Sequence, residues 1–280
     1  MCSSDLSKDA FESYLFKDGK PLALTSLDTD DAAVMYVGTK IVAGDEVPDT
    51  VLSIKHMLDR RDDRLIQTVD TALSYVGRGF TRFDSGISNT SSTGYGVQKY
   101  DNESIDNMFR NQTVRNFTDA PIFWLSVVYL QYAEASVELG GITQNDLDIS
   151  INKLRDRAGL PHLTVNVGFS DPANNMGVSD LIWEIRRERR TELMFDNWTR
   201  YWDMIRWHQL DKLDNSVYPD IMRGANIVND PYNQDIAKIG TYIDGSRNLE
   251  RKYERKHYWY PIPSGQIQLN PQLSQNPGWN

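Results

Sequence analysis

Two consecutive helices joined by a very short loop constrain this chain more than any other feature. Asp119 is placed to cap the first, Pro121 to sit in its first turn and Gly140-Gly141 to end it. Leu125, Val128, Tyr129, Tyr132, Ala135 and Leu139 recur at helical spacing and predict its buried face. Thr143 and Asp146 form a capping box, with Asp in place of the usual Glu, at the start of the second helix. Leu147, Ile151, Leu154 and Ala158 give that helix its apolar face, and Gly159 with Pro161 stops it. Helices connected this closely form an αα-hairpin, the stacking unit of tetratricopeptide-type folds. No second copy follows at the ~34-residue period of such repeats. The hairpin must therefore stack on something other than its own repeats.

Around the hairpin the signals are shorter. Asp9 to Phe16 predicts a short helix before the turn at Lys17 to Pro21. Ile54, Leu58, Leu65, Val69 and Leu73 fall near helical spacing, interrupted by the charged run from Asp59 to Arg64. Between Tyr75 and Tyr100, glycines alternate with aromatic and hydroxyl residues, a texture of loops and short strands. Ser179 is expected to cap a third helix reaching Phe195. Its Arg186, Arg187, Arg189 and Arg190 interleave with Glu184, Glu188 and Glu192. Pairs three apart, Glu184 with Arg187 and Arg189 with Glu192, predict a solvated or intramolecular ion-pair face rather than an anion site. Trp198, Tyr201, Trp202, Met204, Ile205 and Trp207 then read as core packing, and an irregular tail ends the chain. The expected class is mainly α: a tetratricopeptide-like αα-hairpin plus further helices, a loop-rich segment with short strands, and an irregular C-terminal tail.

Several chemistries are disfavoured. Thirty Lys and Arg stand against 39 Asp and Glu, so a general nucleic-acid binder is not expected. A single cysteine, Cys2, excludes an internal disulfide framework and any all-cysteine metal site. His56, His162, His208 and His257 show no metal-ligand spacing, and Asp28 to Asp31 lacks the spacing of a calcium loop. Asp62 and Asp63 are adjacent, not the facing pair that glycoside hydrolysis needs. No Gly-x-Ser-x-Gly elbow or phosphate loop occurs. No cofactor and no catalytic or metal residue is expected.

Four ordered stretches resemble the RagB/SusD family of outer-membrane nutrient-uptake lipoproteins. Asp119 to Ala135 is similar to the family helix P-I-x-R-x-A-E-x-x-L-x-Y-A-E-A, and Leu154-Arg-Asp-Arg-Ala-Gly-Leu-Pro161 to its V-R-x-R-A-G-L-P. Ile185 to Phe195 with Arg200 to Trp207 resembles its I-R-x-E-R-R-x-E-L-x-F-E-G-x-R-x-x-D-L-R-R-W block. Tyr260-Pro-Ile-Pro263, Asn270-Pro271 and Gln275-Asn-Pro-Gly-Trp279 are similar to its C-terminal ending. Ser92 to Tyr95 with Lys99 adds weaker support. Trp124 and Val127 replace a family Arg and Glu, a swap of an ion pair for apolar groups that can be energetically neutral. The junction from Asp196 to Thr199 departs from the usual Glu-Gly turn.

The resemblance implies a binding protein and not an enzyme, one that holds glycan over a SusC-like TonB-dependent transporter at the outer membrane. Family members run to about twice this length, so residues 1–280 are expected to be the C-terminal part of one SusD-like domain. Within it, 1–118 would be an irregular ligand-side region, 119–161 the hairpin, and 162–280 the helix and extended C-terminal region. The signal, the lipid-bearing cysteine and most of the repeat helices would lie upstream, and Cys2 would not be the anchor. Sugar binding needs an aromatic face with planar polar groups at its rim. Tyr75, Arg78, Phe80, Arg82, Phe83 and Asp84 offer that mixture on a Gly-rich loop and are the expected glycan contacts. The alternatives are a helical module that binds only the transporter, and a glycan-processing enzyme.

Overall fold

The computed structural model of the chain describes residues 6–29, 36–71, 73, 91–99, 104, 105, 109, 119, 121–196, 199–228, 236–246 and 248–279. The chain is mainly helical. Helices α1 (Lys8–Phe11), α2 (Lys55–Leu58) and α3 (Asp63–Thr68) precede the hairpin. The hairpin is built from α4 (Leu125–Glu138), α5 (Gln144–Asp148) and α6 (Ile151–Ala158). Helices α7 (Asp180–Glu192), α8 (Thr199–Arg206) and α9 (Ser264–Leu269) follow. Strands β1 (Tyr36–Val42) and β2 (Asp45–Ser53) pair antiparallel. A small antiparallel sheet runs in the order β3 (Arg223–Asn226), β5 (Tyr242–Asp244), β4 (Lys238–Ile239). Among the described residues no helix is long and apolar enough to cross a membrane.

The β1–β2 hairpin was not legible in the sequence. Its two-residue turn is Ala43-Gly44, with φ of 56° and 95°. Two positive φ values match the twist of a hairpin, but the usual signal is Asn-Gly or Asp-Gly. Alanine rarely adopts this conformation, so the turn has no residue-level marker at its first position.

Among the described residues, two large apolar clusters, with a small third of Leu15, Ala158 and Leu160, carry the fold. In the first, Ile54, Leu58, Leu65, Val69 and Leu73 are all buried, as their spacing predicts. They join Phe11, Tyr14 and Tyr95 with Ala225, Ile227 and Ile243 of the small-sheet region. The charged run separates α2 from α3 because Asp62 accepts a hydrogen bond from the Arg64 amide at 2.9 Å and restarts the helix. The second core gathers Leu130, Ala133, Leu147, Ile151, Leu154, Leu181, Ile185 and Leu193. Gly224 of β3 lies against Thr93, where an added Cβ would collide with the Thr93 carbonyl oxygen. That carbonyl also accepts the Ala225 amide at 2.7 Å, so neither backbone can retreat freely. Gly224→Ala is expected to cost about 3 kcal/mol by overpacking, read as a lower midpoint in urea unfolding.

The hairpin departs from expectation in two ways. Helix α4 starts at Leu125 behind an extended Trp124, without a side-chain cap. Asp119 is too far upstream of that start for its carboxylate to reach the first-turn amides. The predicted face is also largely the wrong one: Leu125, Val128, Tyr132, Ala135 and Leu139 are exposed and only Tyr129 packs, half-buried, on the second core, whereas Leu130, Ala133 and Glu134 are buried. Apolar residues lie nearly all around this helix, so periodicity alone does not choose a face. Glu134 chooses it, through bonds to Arg206 at 2.6 and 2.9 Å and to the Trp207 indole at 2.7 Å.

The second helix is broken. Thr143 and Asp146 make the predicted capping box, and Gly159 closes α6 in the left-handed conformation. At the break, however, the Ser150 hydroxyl donates to the Asp146 carbonyl, and Asp148 accepts from Gln144 and Asn152 at 2.9 and 2.7 Å. These local bonds compete with the helical ladder. The apolar face survives, since Leu147, Ile151, Leu154 and Ala158 are all buried.

The Arg/Glu block of α7 is intramolecular and buried. Glu188 receives Arg64 at 3.0 Å and Arg155 at 2.6 Å, tying α3 and α6 to α7. Glu184 pairs with Arg187 at 3.2 Å as expected. Arg189 does not pair with Glu192. It reaches Asp203 of α8 at 2.7 Å, while Glu192 takes Arg64 at 3.1 Å and Arg157 at 2.5 Å. Lys99 donates to the Met194 carbonyl at 2.8 Å and pairs with Asp196 at 3.1 Å, closing the end of α7.

That Arg189–Asp203 pair also corrects the aromatic run. Asp203 and Met204 are the buried residues of α8, and Trp202 is 57% exposed. Trp198 lies outside the described residues. With Asp203 facing inward, Tyr201 and Trp207 are left to line two separate clefts rather than the core.

Candidate functional site

The C-terminal segment is pinned by its own side chains. In Tyr260-Pro-Ile-Pro263 the prolines have no N–H, so Ile262 carries the only amide donor of Pro261 to Pro263. Gln275 satisfies both sides of that residue: its Oε1 accepts the Ile262 amide at 2.7 Å and its Nε2 donates to the Ile262 carbonyl at 2.8 Å. Asn276 donates to the Tyr260 carbonyl at 2.6 Å, and the Trp279 indole donates to the Trp259 carbonyl at 2.9 Å. Upstream, the Asn215 amide donates to the Arg251 carbonyl and Asn215 Oδ1 accepts the Arg251 amide, at 3.1 and 2.9 Å. Removing the clamp with Gln275→Ala is expected to cost about 2 kcal/mol. Faster amide exchange at Ile262 would report the loosened segment.

This frame holds a cleft of about 240 Å³ whose surface is almost entirely apolar. Tyr201, Tyr253, His257, Trp259, Tyr260 and Trp279 supply its aromatic wall, with Leu210 and Leu213 beneath and Lys252 at the rim. The His257 and Trp279 rings meet edge to face with centroids 5.8 Å apart. The Tyr201 and Tyr260 hydroxyls are 2.9 Å apart. Their bond raises the Tyr201 pKa, with burial adding to it. The Tyr253 hydroxyl is pushed up to about 12 by burial and then by its bond to Tyr258, so it stays a neutral donor. Trp259 and Tyr260 are 44% and 70% exposed, an unusual surface for aromatic rings that contribute nothing to a core. The arrangement can stack a flat apolar ring face and offer phenolic hydroxyls and an ammonium to polar groups at its edge.

A second, charged cleft of about 250 Å³ lies between α1, α7, α8 and the 3-10 turn Leu210–Leu213. Asp9, Arg190, Arg200, Lys212, Trp183 and Trp207 are among its walls. Among the described residues no cluster of His, Cys, Asp and Glu could hold a metal ion.

The residues expected from the sequence to contact glycan, Tyr75, Arg78, Phe80, Arg82, Phe83 and Asp84, lie outside the described residues. The flanking Leu73 and Ser91 are both buried. The sequence reading overlooked the aromatic cleft. Its signal was present in the cluster from Tyr253 to Tyr260, where aromatics outnumber any core that a proline-bounded, irregular segment could form. The resembled motifs otherwise build the frame: Arg155 and Glu188 bond each other, Tyr95 stacks on Phe11 at 4.5 Å, and Gln275 clamps the tail.

The SusD family model matches residues 2–279. Among solved structures, a SusD-like carbohydrate binding protein from Bacteroides fragilis is 24% identical, with a TM-score of 0.60 over 96% of this chain and 48% of that one. The protein BT4246 is 22% identical, with a TM-score of 0.62 over 98% of this chain and 46% of that one. A further SusD-like protein from Bacteroides fragilis is 20% identical, with a TM-score of 0.56 over 98% and 47%. The chain thus spans about half the length of these structures, and at such identities the likeness is one of fold. No curated protein matches it.

Proposed function

The chain belongs to the SusD family, and from that premise we propose that it is part of a non-enzymatic, surface-exposed glycan-binding protein of an outer-membrane uptake system. The observation that carries the reading is the exposed aromatic cleft. A pyranose presents a face of C–H groups that packs on Trp and Tyr rings, and hydroxyls at its edge that meet phenols and an ammonium. Trp259 and Tyr260 are the proposed stacking residues, with Tyr201, Tyr253 and Lys252 at the rim. A fold neighbour described as carbohydrate binding supports this chemistry. Tyr75, Arg78, Phe80, Arg82, Phe83 and Asp84 belong to the proposal as a second aromatic and polar set.

Electrophoresis of the full chain through gels containing different neutral polysaccharides tests the reading. Retardation in at least one gel, without release of reducing ends on incubation, is the expected result. Release of reducing ends would favour a glycan-processing enzyme, and migration unchanged in every gel would count against glycan binding.

A protein partner is favoured by a different observation. Ile122 and Phe123 just before α4 and Leu125, Val128 and Tyr132 on it are exposed apolar side chains, with Phe123 93% exposed. We propose a SusC-like TonB-dependent transporter, the partner that the family resemblance implies, as the occupant of this surface. Co-purification with that transporter should be lost in a Phe123→Asp, Val128→Asp variant that still binds polysaccharide.

A further inference from the structure

The charged cleft holds more cations than its carboxylates can neutralise. Asp9 pairs with Arg190, Glu12 with Arg61 at 2.6 Å, and Asp220 with Lys8 and Arg223 at 2.9 and 2.7 Å. Arg187 is held by Asp171 and Glu184, and Arg186 reaches Glu138 at 3.4 Å. Each of these charges has its counter-ion. Arg200 and Lys212 do not: among the described residues no carboxylate lies within 4.0 Å of either. Both line the cleft. Lys212 donates to Asn175 Oδ1 and lies over the Tyr218 ring at 4.6 Å, which fixes its ammonium while leaving further N–H donors open. The Arg200 side chain makes no hydrogen bond among the described residues, so its guanidinium fork is available.

The electrostatics agree with this count. Burial raises the Asp9 carboxyl, but Arg190, Arg200 and Lys212 outweigh it and hold it below the usual value, so three cations share one carboxylate. Arg200 is brought down to about 9, first by burial and then by repulsion from Arg190. Burial also lowers Lys212, although Asp9 and Asp211 favour its charge. Two cations kept in a confined cleft, with no described carboxylate within ion-pair distance, destabilise the empty protein and stabilise an arriving anion. A guanidinium fork matches the paired oxygens of a carboxylate or sulfate, and an adjacent ammonium adds a point charge. Trp183 and Trp207 on the same walls carry cations of the protein itself, Arg187 over the Trp183 ring at 5.6 Å and Arg186 and Arg206 over the Trp207 ring at 4.8 and 4.6 Å, so their indoles report on the cleft.

We propose that this cleft is an oxyanion subsite in which Arg200 and Lys212 hold the carboxylate of a uronic acid or the sulfate ester of a sugar. The sugar carrier rests on the glycan reading above, whereas the oxyanion chemistry rests on the cleft and on its two cations that no described carboxylate pairs.

The test titrates the full chain with an oligogalacturonate, a sulfated oligosaccharide, a neutral oligosaccharide and inorganic sulfate, at constant ionic strength, following tryptophan fluorescence and heat. At least one acidic saccharide should bind wild type. Arg200→Met or Lys212→Met should weaken it about tenfold each, and Lys212→Arg should restore most of the loss. Neutral saccharide affinity should be the same in all variants. Without ligand, Arg200→Met and Lys212→Met should melt no lower than wild type, because each removes an uncompensated charge rather than a structural pair. Acidic affinity unchanged in the double variant would overturn the proposal, as would a lower melting point with equal binding. Response to inorganic sulfate but to neither acidic saccharide would assign the cleft to a free anion and overturn the sugar subsite. A failure of glycan binding at the aromatic cleft reads out separately, in the neutral-saccharide arm.

Discussion

Glu188→Gln is expected to remove about 3–5 kcal/mol of folding stability, the range for breaking a buried ion pair while its partners stay. Glu188 is 1% exposed and bridges Arg64 of α3 to Arg155 of α6, so the variant leaves two buried guanidiniums short of a counter-charge. Against the ~5–15 kcal/mol of a typical domain, this is the largest effect expected from a single near-isosteric change. The loss also depends on pH. Burial raises the Glu188 carboxyl, but Arg64 and Arg155 outweigh burial and hold it below its ordinary 4.5. A carboxylate depressed in the folded state contributes its stability above the unfolded pKa and loses it as pH falls through the folded value. Burial instead raises Asp62 and Glu184. Their charged forms therefore cost stability at neutral pH, and acid relieves that cost. The signature of Glu188 is thus a difference: the gap in urea midpoint between wild type and Glu188→Gln should be widest near neutral pH and shrink below about pH 4.5. A gap that is constant with pH would place the carboxylate outside the network.

The second large effect is on binding. Trp259→Ala with Tyr260→Ala should lower affinity for a retained neutral polysaccharide by at least about a hundredfold, since aromatic anchors commonly carry ~2 kcal/mol or more each. Both rings stand well into solvent and neither belongs to an apolar core, so folding stability should change by less than about 1 kcal/mol. Affinity and stability therefore separate in opposite senses: Glu188→Gln damages the frame, and the aromatic variant damages only recognition. Tyr201→Phe should have an intermediate effect, because it deletes the hydroxyl that meets Tyr260 at 2.9 Å and keeps the ring.

Much of the frame was legible in the residues. The stop at Gly159 with Pro161, the Thr143 box, the Ser179 cap and the burial of Ile54, Leu58, Leu65, Val69 and Leu73 all follow from local rules that tertiary context left intact. The misread faces share one physical cause. Counting apolar residues ranks α4 and α8 by hydrophobicity, whereas buried ion pairs decide their orientation. Glu134, bound by Arg206 and Trp207, turns Leu130 inward and Leu125 outward. Asp203, bound by Arg189, turns Trp202 outward. Such pairs join helices far apart in sequence, so no window of neighbouring residues contains them. The candidate site was hidden for a similar reason. Trp259 and Tyr260 read as part of a familiar ending, and their role as a cleft wall depends on Gln275 and Trp279 folding back over Ile262 and Trp259. The charged cleft likewise depends on α1 meeting α7 and α8, which places Asp9 beside Arg190 and leaves Arg200 over.

The tryptophan indole N–H resonances test the central claim most directly, because the aromatic cleft and the charged cleft hold different indoles. Titrating the nitrogen-labelled full chain with an oligosaccharide of the retained neutral polysaccharide should shift Trp259 and Trp279 and leave Trp183 and Trp207 in place. Saturable binding that leaves Trp259 and Trp279 unmoved would contradict the assignment of glycan recognition to the aromatic cleft.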